Sequence, residues 1–414
     1  MHALFTAIAL WAVAVGVLTL GTTYRDSFGQ LKWTDFVHFF TMGHVAQYGP
    51  VAHLYDDAAL HRHQVALVPA SAAAWYFPVY PPQVALLFAP LARLPYLAAG
   101  GVWALVTITV FALAVWLAWR PVRASLGWAS LIVAAAAAFP PLPSLVLNGQ
   151  TTAVPIFAFA GATLALQHGR KVAAGAALGL LFLKPQFGLV LAIVVLGCRE
   201  WSILVGLMLS AAVQATAVVS LLGRMALLDY LHVLPRLAGL RGALEPRAES
   251  MQSIAAVTGL LPGLASMIAW LIASAAVCWI VVRIWRSGAP VPVRAGALVM
   301  GSMLVNPHVN LYDAAVLGPA LLSLSGWLET QDERWADLRH RWRLAIYALY
   351  ALLLFPTGKV IGLQLSPFVL LWMMHAVWRV TGQSDDRTAS RSATLRDLQQ
   401  HGFGEFAPAA KPGF

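Results

Sequence analysis

Long apolar runs without a single charged residue recur along this chain and constrain its fold more than any other feature. Residues 3–22 and 97–119 are two such runs, and each reaches the roughly 20 residues that a helix needs to cross the hydrocarbon core of a bilayer. Charged residues make up 11% of the sequence and the mean hydropathy is +0.73, whereas soluble domains carry about a quarter charged residues. The surplus of apolar surface must face lipid, so the sequence predicts an all-α polytopic membrane protein.

The apolar runs predict a bundle of about twelve transmembrane helices. The predicted segments are 3–22, 97–119, 126–140, 151–167, 172–183, 186–198, 202–223, 263–285, 295–305, 311–328, 344–356 and 361–380. The first of them has no charged stretch before it and is long enough to span, which favours an uncleaved helix over a signal peptide.

The positions of the basic residues predict the orientation of the bundle. With the N-terminus inside, every short cluster of arginine and lysine falls on one side, as the positive-inside rule requires. This scattered distribution argues against a nucleic-acid partner, although the net charge is +10. Residues 1–380 are then the membrane domain and 381–414 a disordered cytoplasmic tail.

Two long loops, 23–96 and 224–262, fall on the outer side of this topology. Each contains a short stretch, 35–45 in the first and 224–240 in the second, that is predicted to form an amphipathic helix along the membrane surface.

Several predicted spans have only eleven to fifteen residues and come in pairs joined by polar turns. Short helices leave irregular backbone at membrane depth, which is tolerated only inside protein or beside a water-filled cavity. The four turns are "PPLPSLVLNGQTT", "KPQ", "NPHVN" and "PTGK". All of them open outward in the predicted topology, so we expect one recessed cavity facing outside. Its predicted floor consists of Asn148, Gln150, Lys184, Gln186, Asn306, His308 and Lys359.

Asp35 is the acid with the most suggestive surroundings. It lies in the first outer loop among Trp33, Phe36, Phe39 and Phe40, where desolvation would move its pKa toward the range of a general base. Local sequence fits a structural role as well, because acids are common at the start of a helix and Thr34 is available as a cap. His38 is expected on the same helix face.

Three further side chains interrupt apolar sequence. Lys184 is an intramembrane cation, which marks a functional candidate, although a lysine that reaches the interface at a helical hairpin explains it equally well. His308 and Asp313 belong to one outer turn. Asp313 is suited to orient a histidine or to cap the next helix.

The aromatic residues Trp75 and Tyr80 follow in a proline-bracketed stretch. They fit an interfacial aromatic belt or a wall on which a sugar or lipid chain packs. The scattered histidines lack the spacing of a metal site, so no metal is expected.

The order of short motifs along the chain resembles glycosyltransferase family 87, a group of GT-C-type membrane enzymes also called DUF2029. After Asp35 come "YGPVAHLYD" and "VYPPQVALLFAPLARLP", then "LNGQTT" and "AAGAALGLLFLKPQ". "MQSIAAV" and the outer turn "NPHVNLYD" complete the series. Each motif is weak alone, while their order over residues 1 to 380 is fairly specific.

The resemblance implies a GT-C-like fold and an inverting transfer of a sugar, most often mannose, from a polyprenyl phosphate to a lipid or glycan acceptor. It implies the outer side of a bacterial inner membrane, both termini in the cytoplasm and no cofactor. Asp35 matches the essential acid of the first outer loop and would deprotonate the acceptor. Lys184 and His308 would stabilise the phosphate. Hydrogen bonds to the sugar hydroxyls or to the phosphate would come from Asn148, Gln150 and Gln186. His38, Trp75, Tyr80 and Asp313 would contact acceptor or lipid.

A secondary transporter or lipid flippase is the alternative, because broken short helices and a buried lysine fit such a protein too.

Overall fold

The computed structural model describes residues 2–126, 129–239, 250–355 and 357–382 of the 414-residue chain. These ranges are almost entirely helical, and within them the only β-pairing is an isolated bridge between Arg25 and Leu31. The helices before residue 200 are α1 (His2–Thr19), α2 (Phe36–Tyr48), α3 (Asp57–Leu67), α4 (Pro82–Phe88), α5 (Tyr96–Trp119), α6 (Arg123–Leu126), α7 (Ala129–Ala137), α8 (Pro141–Asn148), α9 (Ala153–Gln167), α10 (Lys171–Leu178) and α11 (Leu189–Gly197).

The remaining helices continue the bundle. They are α12 (Trp201–Leu222), α13 (Arg224–Gly239), α14 (Ile254–Thr258), α15 (Gly263–Arg286), α16 (Val291–Val305), α17 (Leu317–Glu329), α18 (Ala336–Leu354), α19 (Thr357–Ile361) and α20 (366–382). Three short 3-10 helices matter for the site described below: Gly179–Leu183, Pro185–Gly188 and Leu311–Val316. The predicted disordered tail, 381–414, lies outside the described residues apart from the last two residues of α20.

Five helical stretches of the described chain are long and apolar enough to cross a membrane. They are His2–Thr19, Tyr96–Leu126, Trp201–Leu222, Gly263–Arg286 and Leu311–Glu329. A sixth appears if α7 and α8, which meet at an angle of 52°, form one broken span. The protein is therefore a membrane protein, and the predicted count of about twelve spans is not confirmed. The physical reason is that several apolar runs fold into helices of 10 to 17 residues, too short to cross alone.

The main hydrophobic core lies between the helices of the bundle. Large side chains from α8, α16 and α17 meet there, among them Leu145, Met300 and Leu317, all of which are fully buried. Helices α10 and α12 approach more closely than side chains would permit. A Cβ atom on Gly175 would lie 2.0 Å from the carbonyl oxygen of Ile203, and one on Gly206 would lie 2.0 Å from that of Val172.

The first long loop, 23–96, folds into a helical layer with cores of its own. Phe36, Phe39 and Phe88 are completely buried in one cluster, while Met42 and Leu54 belong to a second. Because buried residues occur on every side of α2, the prediction of an amphipathic surface helix over 35–45 is wrong. The reason is that α3 and α4 cover the sides that a membrane-surface helix would expose.

Helix α13 does show the predicted one-sided pattern. Its buried residues Ala226, Tyr230 and Val233 recur at helical spacing, whereas Leu228 and Leu231 are exposed.

The start of α10 and the end of α15 both contact the turn between α11 and α12. Lys171, the first residue of α10, forms an ion pair of 2.8 Å with Glu200, which also accepts a bond from the indole of Trp285. Lys184 follows the 3-10 helix that continues α10, so it lies roughly 20 Å further along. This separation places Lys184 at the end of the segment that is away from Lys171.

Candidate active site

Asp35 directly precedes α2 but does not cap it with its side chain. The residue occupies the N-cap position, and no side-chain capping bond is present. Its backbone N–H donates to the carbonyl of Asn148 over 3.1 Å. Thr34 does not serve as the cap either, because its hydroxyl lies 3.0 Å from that of Tyr76. The interpretation of Asp35 as a capping acid therefore has no support in the geometry.

Tyrosine side chains hold the segment that carries Asp35. Tyr96 donates its hydroxyl to the carbonyls of Lys32 and Trp33, at 2.6 and 3.0 Å, and Tyr76 donates to the carbonyl of Thr34 at 2.6 Å. Trp33 adopts a positive φ of 53°, a conformation rare for a bulky residue. These bonds fix the turn that aims the Asp35 carboxylate into the protein.

Gln150 is the hydrogen-bond partner of that carboxylate. Its Nε2 donates to Oδ2 of Asp35 over 2.8 Å. Gly149, which precedes it, has φ +66°, and a Cβ there would lie 2.6 Å from Cβ of Phe36. Only glycine allows α8 to end so close to α2, and this approach brings Gln150 to Asp35. Tyr80 donates weakly to Oε1 of Gln150 at 3.4 Å.

A buried ion pair lies beside these residues. Lys184 Nζ donates to Oδ1 of Asp313 over 2.5 Å and to the hydroxyl of Thr152 over 2.9 Å. Thr152 in turn donates to the same carboxylate oxygen at 2.6 Å. Lys184 and Asp313 are only 2% and 1% exposed. The lysine therefore does not snorkel to an interface, since its charge is balanced inside the protein.

Asp313 also has the capping role that its sequence context suggests. Its Oδ2 accepts from the backbone N–H of Asn310 at 3.1 Å, and the Asn310 side chain accepts from the backbone of Asp313, which together form a capping box. Tyr312 connects this turn to the Asp35 side of the site. Its hydroxyl accepts from Nε2 of Gln150 at 3.3 Å and from Nδ2 of Asn310 at 3.2 Å.

Burial raises the pKa of Asp35 from 3.8 to about 6. The hydrogen bond from Gln150 and the positive charge of Lys184 oppose this effect, while Asp313 adds to it and His308 opposes it. The carboxylate is half-buried. A carboxylate with a pKa near 6 is ionised at neutral pH and is basic enough to accept a proton from a hydroxyl in a transition state.

His308 and His38 have different surroundings. His308 is half-buried, and its backbone N–H donates to the side chain of the fully buried Asn306 at 2.9 Å. His38 is buried one turn after Asp35 and stacks on Tyr76 with ring centres 5.5 Å apart. Burial lowers the pKa of His38 to about 4, so its ring is neutral at physiological pH.

The other predicted residues contribute less to this network. Asn148 donates its side-chain amide to the carbonyl of Ser144 at 2.8 Å. Gln186 is half-buried on the short helix after Lys184. Trp75 is 51% exposed and lies against the ring of His61. Asp35, Tyr80, Gln150, Lys184 and Asp313 are thus brought together, whereas Trp75 is turned toward the surface.

The prediction that Lys359 lies on the floor of the cavity is wrong. Lys359 is exposed, and the side chain that its turn sends inward is Gln364. Gln364 Nε2 donates to Oε1 of Gln252 at 2.8 Å, and the Gln252 backbone donates to the carbonyl of Val309 at 2.9 Å. Lys359 on the short helix α19 therefore points outward, and the buried position is occupied by the uncharged amide of Gln364.

Sequence reasoning missed Tyr312 and Thr152, which complete the network. Both adjoin residues that it selected, and no periodicity marks them. The described residues contain no group of three or more His, Cys, Asp or Glu side chains placed to hold a metal ion.

Comparison with known protein families yields a match. The model of glycosyltransferase family 87 matches residues 77–307. This range contains Tyr80, Gln150, Thr152 and Lys184, while Asp35 and Asp313 lie outside it. No curated protein and no solved structure matches the chain. Because the matched range covers more than half of the 414 residues, the chain belongs to glycosyltransferase family 87, a family of sugar-transferring enzymes.

Proposed function

We propose that this protein transfers a sugar, mannose in the first instance, from a polyprenyl-phosphate donor to a lipid or glycan acceptor, with Asp35 as general base. One observation carries the proposal. Asp35 occupies a helix N-cap position, yet its side chain leaves the helix and binds Gln150 beside the buried Lys184–Asp313 pair. An acid that served only the helix would accept a bond from the backbone of that helix.

The surroundings of Asp35 suit the removal of a proton from an alcohol. Its pKa of about 6 leaves the carboxylate ionised at neutral pH and more basic than an exposed aspartate. The acceptor hydroxyl loses its proton to Asp35 as its oxygen attacks the anomeric carbon, which inverts. The bond from that carbon to the phosphate oxygen breaks on the opposite face.

The leaving group determines what else the site must supply. A polyprenyl phosphate is a stabilised anion, so it needs no proton donor, unlike the alkoxide that glycosidases protonate. It does need positive charge or hydrogen-bond donors as its charge develops. Lys184 and His308 are our candidates for this role. Lys184 already forms an ion pair with Asp313, so part of its positive charge is neutralised there. Asn148 and Gln186 remain candidates for contacts with sugar or phosphate.

A lipid-linked donor agrees with the protein's place in a membrane. Several apolar helices of the bundle are long enough to cross it, and Lys184 lies at the end of its helical segment that is away from the basic Lys171. By the positive-inside rule this end faces outward. We therefore place the reaction on the outer side of a bacterial inner membrane, with both termini in the cytoplasm and with no metal, nucleotide or other cofactor.

The test uses purified protein in liposomes, with radiolabelled undecaprenyl-phosphate-mannose and a crude lipid extract as acceptor. Wild type should place label in a new lipid, and Asp35→Asn should lower that rate by at least about 100-fold, the lower range for general base catalysis. Asp56→Asn is the matched control. Asp56 lies in the same outer loop and does cap its helix, since its carboxylate accepts from the backbone of Ala59 at 2.9 Å.

Two outcomes would contradict the proposal. If Asp35→Asn transferred label as fast as wild type, Asp35 would not be the base. If label crossed the bilayer unchanged and no new glycoside formed, the protein would be a transporter or flippase of the donor lipid.

A further inference from the structure

The hydroxyl of Tyr312 has an unusual set of neighbours, because two side-chain amides point their N–H groups at it. Gln150 Nε2 lies 3.3 Å from the phenolic oxygen and Asn310 Nδ2 lies 3.2 Å from it. Both contacts use the tyrosine as an acceptor. The oxygen of a phenol has room for about two such donors, so its acceptor positions are filled.

Independent backbone contacts fix the orientation of both amides. Oε1 of Gln150 accepts from the backbone N–H of Thr151 at 3.2 Å, and the Asn310 side chain accepts from the backbone of Asp313 in the capping box. A carbonyl oxygen is required at each of these positions, because a backbone N–H can only donate. The two amide nitrogens must therefore face Tyr312.

The remaining capacity of Tyr312 is to donate its own proton. The described part of the chain offers no acceptor for it, since every contact of this hydroxyl receives a hydrogen bond. Two amides donate to this hydroxyl and fix its position, while its own proton is not donated to another protein group. Such a hydroxyl is a preorganised donor. Tyr312 is half-buried, so part of the residue is accessible from outside the protein.

The position of Tyr312 indicates what it would bind. One nitrogen, Nε2 of Gln150, contacts both the Asp35 carboxylate and the Tyr312 hydroxyl, so base and donor are neighbours. The centre of the Tyr312 ring also lies 5.5 Å from Nζ of Lys184. Tyr312 is thus in contact with the amide that binds the base and is next to the buried cation, where an incoming substrate anion would be stabilised.

We propose that Tyr312 is a catalytic residue that donates its hydroxyl proton in a hydrogen bond to the phosphate oxygen that leaves the anomeric carbon. This inference rests on the proposed transfer reaction. As the acceptor oxygen bonds to the anomeric carbon, its proton passes to Asp35. The carbon–oxygen bond to the phosphate breaks, and its electron pair stays on the phosphate oxygen. Tyr312 keeps its proton and stabilises the charge that develops there.

The experiment compares Tyr312→Phe with wild type in the liposome assay. Loss of one preorganised donor to a developing oxyanion should lower kcat by about 100- to 1,000-fold. The inhibition constant of the product undecaprenyl phosphate should rise, because the donor binds the same phosphate. The acid limb of the pH profile should stay in place, since Asp35 keeps its hydrogen bond from Gln150.

Tyr350→Phe is the control for removal of a buried phenol hydroxyl. Tyr350 donates to the carbonyl of Ala135 at 3.0 Å and has no hydrogen bond to the residues of the site, so its variant should match wild type in activity. If Tyr312→Phe fails to fold, 2,3-difluorotyrosine at position 312 replaces it. This residue keeps the hydroxyl, makes it a stronger donor and should tighten binding of undecaprenyl phosphate.

Two results would overturn the inference while the proposed function stands. One is unchanged kcat and unchanged inhibition by undecaprenyl phosphate in Tyr312→Phe. The other is a shift of the acid limb without a change in that inhibition, which would mean that Tyr312 acts only through Gln150 on Asp35. Absence of transfer by wild type would instead remove the proposed function and this inference with it.

Discussion

Gln150 donates a hydrogen bond of 2.8 Å to the carboxylate of Asp35 across 115 positions of sequence. The bond joins the end of α8 to the start of α2, and it favours the ionised form of an acid that burial pushes toward neutrality. Gln150 therefore tunes the base in addition to any contact that it makes with substrate.

Replacing Gln150 should displace the pH dependence of transfer. Gln150→Met keeps the volume and removes the donor. A hydrogen bond to a charged group contributes about 1.5–3 kcal/mol, so the pKa of Asp35 should rise by about one to two units. The base is active when ionised, so activity should fall at pH 6–7 and recover at higher pH. The profile of kcat/KM against pH measures this, and an acid limb that stayed near 6 would contradict it.

Removing the charge of Asp35 should stabilise the protein. The folded carboxyl holds its proton up to a pKa of about 6, against 3.8 without burial. Between these values the folded state binds more protons than the unfolded state, so stability falls as pH rises through this window. Asp35→Asn avoids the penalty and should gain about 3 kcal/mol well above pH 6 and little near pH 4.

Thermal unfolding in detergent at several pH values measures this gain. Asp56→Asn is again the control, because the pKa of Asp56 is lowered by the backbone bond from Ala59 and its replacement should give no gain at neutral pH. An equal gain for Asp35→Asn at pH 4 and pH 7 would show that the charge of Asp35 is not its cause.

The Lys184–Asp313 pair should behave as one unit. Lys184→Met leaves the Asp313 carboxylate buried without its cation, and breaking a buried pair in this way costs about 3–5 kcal/mol. Lys184→Met with Asp313→Leu should recover a large part of that loss, because no charge is then left unpaired. A double-mutant cycle on melting temperature tests this expectation. Additive losses would mean that the two residues stabilise the fold separately.

The close approach of α10 and α12 should make Gly206 irreplaceable. A Cβ atom there would lie 2.0 Å from the carbonyl oxygen of Val172, so Gly206→Ala must push the two helices apart. Expression of folded protein and melting temperature should both fall. Gly101→Ala is the matched control, because nothing lies within 4 Å of a Cβ at that position of α5. It should be neutral or slightly stabilising, and equal losses in both variants would refute the packing argument.

Polar residues inside apolar sequence were the part of the site that could be predicted. Asp35, Gln150, Lys184 and Asp313 all interrupt or border apolar runs, where an unpaired polar group is too costly to be incidental. Their pairing could not be predicted, because Lys184 and Asp313 are 129 positions apart and meet only through the way the short helices break and tilt. Tyr312 was missed because a tyrosine beside an apolar helix has a commoner explanation at the membrane interface.

The helical class could also be predicted, since hydropathy reports it directly. The span count could not, because hydropathy does not distinguish one long helix from two short ones broken at a turn such as Lys184–Pro185. For α2, the local sequence shows that the residues are apolar, but it does not show whether lipid or other helices cover them. Its neighbours α3 and α4, which follow it in the same loop, cover the faces that would otherwise meet lipid.

The burial of α2 on every side determines where this protein can be altered. A segment that hydropathy assigns to a loop would ordinarily be chosen for an epitope tag or a reporter, yet an insertion between residues 36 and 48 would split a core helix. The exposed turn at Ser27 and Phe28 lies only a few residues earlier in the same loop. A tag placed there would leave the support of Asp35 intact and would report, by its accessibility in whole cells, on which side of the membrane that support lies.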